Sequence, residues 1–276
     1  NINNLTFNKM EENKDPLNPE DENESSEIQE NISIGDAMAG VFSEPGNTFL
    51  SVKSSSKKNY WLIPLLILIV VSMLSSILVT RDEELTSEIK TQQKEAMKKR
   101  FDEAIKEGKM TKEQADEQLA QTEKMFGGST FVIFGLIGSI AGVLIIFFLK
   151  ALIYWGGLKL FKGSAGYGDI MNVLGLTALI TAIQMVVDTV LAILMGKLLM
   201  NIGPVLLISK EAVSKDMYAF IANFDLINIW YTIIVGIGLA KVSELKSSVT
   251  IPFVFVLWLA WVLLSSFGPF GMFMGR

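Results

Sequence analysis

The sequence predicts an all-α, polytopic membrane protein with five transmembrane helices and an extramembrane helical hairpin between helices 1 and 2. Of its 276 residues, 50% are hydrophobic and only 19% are charged, whereas soluble domains carry about 25% charged residues. The charges are concentrated before residue 60 and between residues 81 and 124. The rest of the chain contains apolar stretches of about 20 residues or more, the length that a bilayer requires of a helix.

The residue inventory excludes most kinds of catalytic and metal site. The chain has no cysteine and no histidine, which rules out disulfides, thiolate nucleophiles, Cys/His zinc sites and imidazole acid–base catalysis. The formal net charge of −5 argues against nucleic-acid binding, which needs a basic surface. We therefore expect no catalytic residue, no metal ligand and no cofactor, and we do not expect an enzyme.

Residues 1–34 are predicted to form a disordered, acidic, cytoplasmic tail. The stretch is rich in Asn and Glu and poor in apolar residues, so burial cannot offset the entropy that ordering would cost. Two interpretations are open, because a charge-rich block is either a docking tail for a basic partner or simply a solvated leader.

Residues 35–59 are predicted to form an amphipathic segment at the membrane surface. The segment is too short to span a bilayer, and the Pro-Gly pair at 45–46 divides it into two pieces. Its last turns carry Lys53, Lys57 and Lys58, and lysines of this kind anchor a segment among lipid headgroups.

Residues 60–80 are predicted to be the first transmembrane helix. No charged residue interrupts the stretch, and its length matches the roughly 20 residues of a span. Tyr60 and Trp61 stand at its start, where aromatic side chains anchor spans at the membrane–water interface. Pro64 falls in the first turn, where its missing N–H is tolerated.

Residues 81–127 are predicted to form an extracytoplasmic helical hairpin. Apolar residues recur at steps of three and four among charged ones, a pattern typical of amphipathic helices. Gly108 is suited to end the first helix, and Thr111 with Gln114 is suited to cap the second. Because the apolar face is narrow, the hairpin is either a self-packed connector or a surface that binds another protein.

Four further transmembrane helices are predicted within residues 128–276. The first of them is longer than a hydrocarbon core of about 30 Å requires, and Lys159 and Lys162 would reach the inner interface from its end. Gly138 and Gly142 form a small-xxx-small step that would let another helix approach closely. The four helices cover about residues 130–161, 170–200, 221–242 and 249–267.

Basic residues in the short loops predict a cytoplasmic N-terminus and an extracytoplasmic C-terminus. In this orientation the inner flanks hold more lysines than the outer short segments hold basic residues. The inner lysines are Lys53, Lys57, Lys58, Lys159, Lys162, Lys241 and Lys246, and the outer basic residues are Lys197, Lys210, Lys215 and Arg276.

One carboxylate lies inside an apolar run, in the stretch QMVVDTVLA. Asp188 follows Thr177, Thr181 and Gln184 at steps of four, three and four, so the four side chains share one helical face. One hypothesis is a proton or cation path that ends at Asp188. Asp188, however, lies about 27 Å along the helix from residue 170, close to the outer headgroups. We therefore favour the alternative, which is hydrogen bonding between helices.

Four residue patterns point to a family resemblance. They are FSEPGNTF at 42–49, LKLFKG at 158–163, FDLINIW at 224–230 leading into GIGLA at 236–240, and a last span rich in tryptophan. Together, over roughly residues 35–268, they resemble the bacterial branch of the Yip1-domain family of five-span membrane proteins. Gly236 and Gly238 within these patterns are further candidates for close helix packing.

The resemblance implies a membrane-embedded protein without catalytic activity, located in the bacterial cytoplasmic membrane. Eukaryotic relatives bind small GTPases, but this chain lacks the Asp-Leu-Tyr-Gly-Pro type of motif before its first span, so GTPase binding is not carried over. Some bacterial members accompany ABC-type efflux components. We therefore expect a scaffold or accessory subunit that binds partner membrane proteins, with ABC transporter components as candidates. The alternative is a small-solute or ion transporter that uses the polar stripe.

Overall fold

A computed structural model describes residues 32–55, 59–125, 128–198, 201–209 and 212–267. Most of the predicted acidic tail lies outside this part of the chain. Within it the protein is all α-helical and has no β-strand, which confirms the predicted fold class. The α-helices are α1 (Ile34–Ser43), α2 (Pro45–Ser54), α3 (Leu62–Arg81), α4 (Glu83–Lys106), α5 (Lys112–Met125), α6 (Gly128–Leu160), α7 (Tyr167–Met195), α8 (Lys215–Ala222), α9 (Leu226–Ser243) and α10 (Ser247–Phe267).

Among the described residues, five helices are long and apolar enough to cross a membrane: α3, α6, α7, α9 and α10. The protein is therefore a multi-pass membrane protein. Short turns link α6 to α7 and α9 to α10, and they lie at the same end of the bundle, because the Ser164 N–H donates to the Ser243 carbonyl oxygen over 3.0 Å. The opposite end holds α4, α5 and the loop that contains α8.

Helices α1 and α2 form a short helical hairpin before the first span. The Ser33 hydroxyl caps α1 by accepting the Asp36 N–H over 3.0 Å, and Pro45 begins α2, a position where its missing N–H costs nothing. Gly40 lets the two helices meet, since a Cβ at this position would overlap the Thr48 side chain. Local caps and one close approach thus build the α1–α2 hairpin.

The α1–α2 hairpin packs against the spans. Val41 and Phe49 are completely buried and belong to the same apolar core as residues of α7 and α9. At the end of α2, Lys53 forms a salt bridge with Glu244 over 2.6 Å. The predicted surface segment is therefore attached to the protein, and its contact with lipid headgroups stays a prediction.

The third span, α7, lies at the centre of the bundle. Every residue from Ile170 to Ile180 is buried, and the helix contacts α1, α3, α6 and α9. Gly175 allows α3 to lie directly against it, because a Cβ there would overlap the Trp61 backbone. This half of the helix is covered on all sides, and its residues are apolar except for Asn172 and Thr177, as expected for a buried helix.

The second span, α6, lies at the edge of the bundle. It has 33 residues, or about 50 Å at 1.5 Å per residue, which exceeds a hydrocarbon core of about 30 Å. Ala151 and Leu158 are buried, whereas Ile137 and Ile145 are 58% and 64% exposed. The uncovered apolar surface of α6 is suited to contact lipid or the helix of a partner.

Capping residues place one end of each of two spans at a position other than the one that the hydropathy pattern predicts. The third span, predicted to reach residue 200, ends at Met195 because Gly196 adopts a left-handed conformation with a φ of 61°. The fourth span, predicted from residue 221, begins at Leu226 because Asp225 caps it. The residues just before Asp225 form the separate helix α8, capped by Ser214. Apolar side chains continue beyond both ends, so hydropathy alone could not place them.

The segment between the first two spans forms a helical hairpin from α4 and α5. Gly108 has a φ of 70° and follows the end of α4, as is usual for a residue after a helix. The Thr111 N–H donates to Gln114 Oε1 over 3.0 Å, and the Gln114 N–H donates to Thr111 Oγ1 over 3.3 Å. This reciprocal pair is the capping box that starts α5.

Replacing Gly175 is expected to loosen the central packing. In Gly175→Ala the new Cβ would overlap the Trp61 backbone, which can move only if α3 shifts, and such overpacking costs about 1–3 kcal/mol. The thermal unfolding midpoint in detergent micelles, followed by circular dichroism, should therefore fall. Gly156→Ala is the matched control, because nothing lies within 4 Å of a Cβ there. Equal midpoints for the two variants would contradict this view of α7.

Candidate functional site

The four predicted stripe residues of α7 lie in different surroundings. Thr177 is completely buried, and its hydroxyl donates to the carbonyl oxygens of Val173 (2.9 Å) and Leu174 (3.1 Å) in its own helix. Thr181 and Gln184 are half-buried. The stripe therefore begins with a hydroxyl that is satisfied by the α7 backbone, a common arrangement for Thr inside helices.

Asp188 differs from the other three residues. One of its carboxylate oxygens, Oδ1, is buried and has no hydrogen-bond donor within the part of the chain that the structure describes. The residue lies two turns before the end of α7 at Met195. A buried acceptor of this kind needs a proton, a cation or a donor from beyond the described residues.

Asp225 organises the loop next to Asp188. Its side chain is almost completely buried and accepts two backbone hydrogen bonds, from the Asn228 N–H over 2.8 Å and from the Ile202 N–H over 3.1 Å. The first bond caps α9, and the second ties the loop after α7 to the start of α9. The positive end of the helix dipole also favours a carboxylate here. Asp225 is therefore a structural residue.

Asn201 is a buried residue that the sequence patterns did not single out. Its side-chain amide donates to the Ala222 carbonyl oxygen, while its own Oδ1 has no partner among the described residues. Gly203 packs tightly beside it, since a Cβ there would lie 2.6 Å from the Phe224 carbonyl oxygen. The Asn-Ile-Gly-Pro stretch at 201–204 is a turn pattern that could have identified this loop.

Asp188 near the end of α7, Asn201 in the following loop and Asp225 before α9 are the residues that we call the α7–α9 polar cluster. Across the described ranges no group of three or more His, Cys, Asp or Glu side chains could hold a metal ion. The cluster offers hydrogen-bond acceptors, but it has no nucleophile with a base beside it. It can therefore join α7, the following loop and α9, or accept a single proton or cation at Asp188.

The two aromatic residues predicted as interface anchors contact protein. Tyr60 is completely buried, and its hydroxyl donates to the Ile32 carbonyl oxygen over 2.6 Å and lies 2.8 Å from Ser55 Oγ. Trp61 stacks on Phe147 of α6 with 5.8 Å between ring centroids. Tyr60 thus joins the α1–α2 hairpin to α3, and a role of either residue at the membrane surface stays a prediction.

The four lysines predicted as anchors are only partly described. The Lys159 ammonium donates to the Gly163 carbonyl oxygen over 3.1 Å, and Lys162 is exposed in the turn after α6 with a φ of 60°. Lys57 and Lys58 lie outside the described residues. The described lysines lie at the end of the bundle that the prediction assigns to the cytoplasm, and their binding to headgroups stays a prediction.

Two of the predicted packing glycines lie where helices approach closely. A Cβ at Gly236 would be 2.7 Å from Ile251 Cγ1 and 2.9 Å from its Cα, so α9 and α10 meet backbone to backbone. A Cβ at Gly238 would be 2.6 Å from a Val173 side-chain carbon and 2.8 Å from the Phe49 ring. Gly238 therefore lies between α7 and the α1–α2 hairpin.

The other two predicted packing glycines have open space around them. At Gly138 and Gly142 nothing in the described chain lies within 4 Å of the position that a Cβ would occupy, so no helix of this bundle uses the step. By contrast, a Cβ at Gly157 would overlap the Phe253 ring. The packing roles of Gly157 and Gly175 were not predicted, because neither glycine belongs to a small-xxx-small step or to a family pattern that would indicate a close helix approach.

Helix α4 is fixed to the loop after α7 by two acidic side chains. Glu88 Oε2 accepts the Leu198 N–H over 3.2 Å, and Glu95 forms a salt bridge with Lys215 over 2.6 Å. The hydrogen bond from Lys215 and its positive charge lower the pKa of Glu95 below its usual value. The charged pair therefore persists at neutral pH and is lost only as the pH falls through that lowered pKa.

Comparison with known proteins identifies one family. A family profile described as the Yip1 domain matches residues 39–271, which is most of the chain and includes all five spans. No curated protein and no solved structure matches the sequence.

The two acids of the α7–α9 polar cluster are expected to differ in their contribution to stability. Asp225→Ala removes the cap of α9, which costs about 1 kcal/mol, and also leaves the Ile202 N–H without its acceptor. Asp188→Asn removes no hydrogen bond at Oδ1 and should leave the thermal midpoint unchanged or raise it. The thermal unfolding midpoint of each variant would be measured in detergent micelles. A decrease for Asp188→Asn equal to that for Asp225→Ala would show that the Asp188 carboxylate makes a stabilising contact.

Proposed function

Because the chain belongs to the Yip1-domain family, we propose that it is a non-enzymatic membrane scaffold or accessory subunit that binds partner membrane proteins. Its setting in this proposal is the bacterial cytoplasmic membrane, with the N-terminus inside and the C-terminus outside. An ABC-type efflux complex, or another transport complex, is the partner assembly that we propose.

The observation that carries this proposal is the attachment of the extramembrane hairpin. Helix α4 of this hairpin is fixed to the loop after α7 through Glu88 and Glu95. Helix α5 packs mainly against α4. A connector between two spans needs only a few residues, so two helices held in a defined position favour a surface that presents α5 to another molecule.

The charge of α5 indicates the kind of partner. Asp116 and Glu117 are exposed on α5, and Ala115 beside them is the residue buried towards the rest of the hairpin. An acidic helix surface favours a partner with a basic surface, since complementary charges guide association. Within the membrane, the uncovered apolar side of α6 supports contact with a partner helix or with lipid.

The proposal of a protein without catalytic activity rests on residue chemistry. Without histidine or cysteine, acid–base catalysis depends on carboxylates or other less suited groups. Asp188, the one acid with an unsatisfied buried side-chain oxygen among the described residues, has no hydrogen-bond donor there. Such a site favours a structural or binding role over a chemical one.

Charge reversal on α5 is expected to release the partner. The protein would be extracted from its native membrane in a mild detergent, and co-isolated subunits would be identified by native mass spectrometry. Asp116→Lys with Glu117→Lys should lose a subunit that the wild-type protein retains, because the acidic surface becomes basic. Asp102→Lys with Glu103→Lys, on the exposed side of α4, changes the net charge equally and should retain it.

Two outcomes would count against the scaffold. One is a wild-type chain that always runs alone, both in mild detergent and directly from its native membrane. The other is an equal loss of the co-isolated subunit from both pairs of variants, which would indicate a general effect of charge on association.

The second candidate, a small-solute or ion transporter, is favoured only by the unsatisfied Oδ1 of Asp188. If Asp188 accepts a transported proton or cation, vesicles containing the protein should show a flux that Asp188→Asn abolishes, because the neutral amide does not titrate. The measurement is proton or cation flux into reconstituted vesicles, with protein-free vesicles as the control. Equal flux in protein-containing and protein-free vesicles would remove this candidate.

A further inference from the structure

A cleft of about 340 Å³ lies where α3, α4 and α6 meet. Its volume falls within the range of about 300–1,000 Å³ that is usual for ligand pockets. The described residues that line it come from the end of α3, the inner side of α4 and the beginning of α6. They are Ser76, Val79, Thr80, Ile89, Gln93, Phe131, Phe134, Gly135 and Gly138.

The cleft lies at the boundary between apolar spans and a charged hairpin. Arg81 ends α3, and Asp82 begins the next helix by accepting the Leu85 N–H over 3.0 Å. The α3 and α6 walls belong to candidate membrane spans, whereas α4 is rich in charged residues along its whole length. A ligand in the cleft would therefore have an apolar part beside the spans and a polar part beside α4.

Gln93 lines the cleft and carries a buried polar atom without a partner among the described residues. Its side-chain Oε1 is buried and has no hydrogen-bond partner in the described ranges, and burial of an acceptor without a donor is unfavourable. Thr80, a second polar side chain of the cleft wall, is satisfied by the carbonyl oxygens of Ser76 (2.9 Å) and Ile77 (3.0 Å) in its own helix. Gln93 Oε1 is enclosed by protein, so it would accept a donor from a ligand once the Gln93 side chain turns towards the cleft.

Lys90 supplies a positive charge at the same place. Its ammonium lies 5.2 Å from the centroid of the Phe131 ring, which lines the cleft. No carboxylate within the described part of the chain forms a salt bridge with Lys90. An ammonium above an aromatic wall, one turn from Gln93 on the same helix, favours an anionic group beside a hydroxyl group.

We propose that this cleft binds a glycerophospholipid with an anionic, hydroxyl-bearing headgroup, of the phosphatidylglycerol class, from the leaflet on the hairpin side. The phosphate lies beside Lys90, a headgroup hydroxyl donates to Gln93 Oε1 after that side chain turns towards the cleft, and the upper part of an acyl chain contacts the apolar residues of α3 and α6. The site is independent of the proposed scaffold role, because it needs no protein partner.

A larger side chain at position 138 would occupy the cleft, and this makes the proposal testable. Gly138 lines the cleft, yet nothing in the described chain lies within 4 Å of a Cβ at that position, so the side chain of Gly138→Leu would begin in open space beside the ligand. Gly142, one turn further along α6, also has open space around it but does not line the cleft. Gly142→Leu is therefore a matched control that adds the same side chain to the same helix.

The experiment measures lipid retention by the full-length protein. Purified protein in a mild detergent is titrated with phosphatidylglycerol or with phosphatidylcholine, and bound lipid is counted by native mass spectrometry. The wild type should retain phosphatidylglycerol at lower lipid concentrations than phosphatidylcholine. Gly138→Leu and Gln93→Leu should weaken phosphatidylglycerol retention by about tenfold or more, and Gly142→Leu should match the wild type. Lys90→Gln should reduce the preference for phosphatidylglycerol over phosphatidylcholine.

Three outcomes would overturn the proposal. The first is equal phosphatidylglycerol retention by the wild type and Gly138→Leu, with thermal midpoints showing that both are folded. The second is equal retention of the two lipids by the wild type, since the headgroup would then not be recognised. The third is displacement of the lipid by inorganic phosphate alone, which would show that the cleft recognises a free anion.

Discussion

The fold depends on the burial of α7 against its neighbours. Inside a bilayer, helices gain little from the hydrophobic effect when they associate, so close van der Waals packing must hold them together. Gly175 brings the α3 backbone against α7, and Gly238 brings α9 and the α1–α2 hairpin against the same helix. These approaches explain how a helix with 11 consecutive buried residues, from Ile170 to Ile180, can be surrounded on all sides.

Several polar side chains of the spans donate hydrogen bonds to their own helix or to the neighbouring helix. The hydroxyls of Thr177 and Thr232 donate to carbonyl oxygens of their own helices, and the Thr250 hydroxyl donates to Gly236 in the neighbouring helix over 2.7 Å. Lipid cannot supply such partners, so these bonds permit polar side chains in the bundle without a water-filled path. Against this background the spans hold three buried oxygens without a partner among the described residues, Asn172 Oδ1, Asp188 Oδ1 and Ser266 Oγ, and the hairpin helix α4 holds a fourth, Gln93 Oε1.

The fold class was predictable because hydropathy and helix capping are local properties. Uninterrupted apolar runs indicated the five spans, and Gly108, Thr111 and Gln114 indicated the hairpin. The ends of α7 and α9 were less predictable, because Gly196 and Asp225 act within runs that remain apolar. The unsatisfied oxygens, the cleft and the attachment of α4 through Glu88 and Glu95 depend on contacts between residues distant in sequence. One sequence contains no direct record of such pairs, so these features required the structure.

The position of the α1–α2 hairpin also constrains the order in which the molecule assembles. Phe49 leaves the ribosome before the five described spans, whereas Gly238, against which its ring packs, follows about 190 residues later in the fourth of them, and chains begin to fold from the N-terminus during synthesis. The apolar side of the hairpin must therefore stay uncovered until that span has been inserted, and the membrane surface is the medium available to shelter it. Helices α1 and α2, although translated before the described spans, are thus among the last to reach their final place.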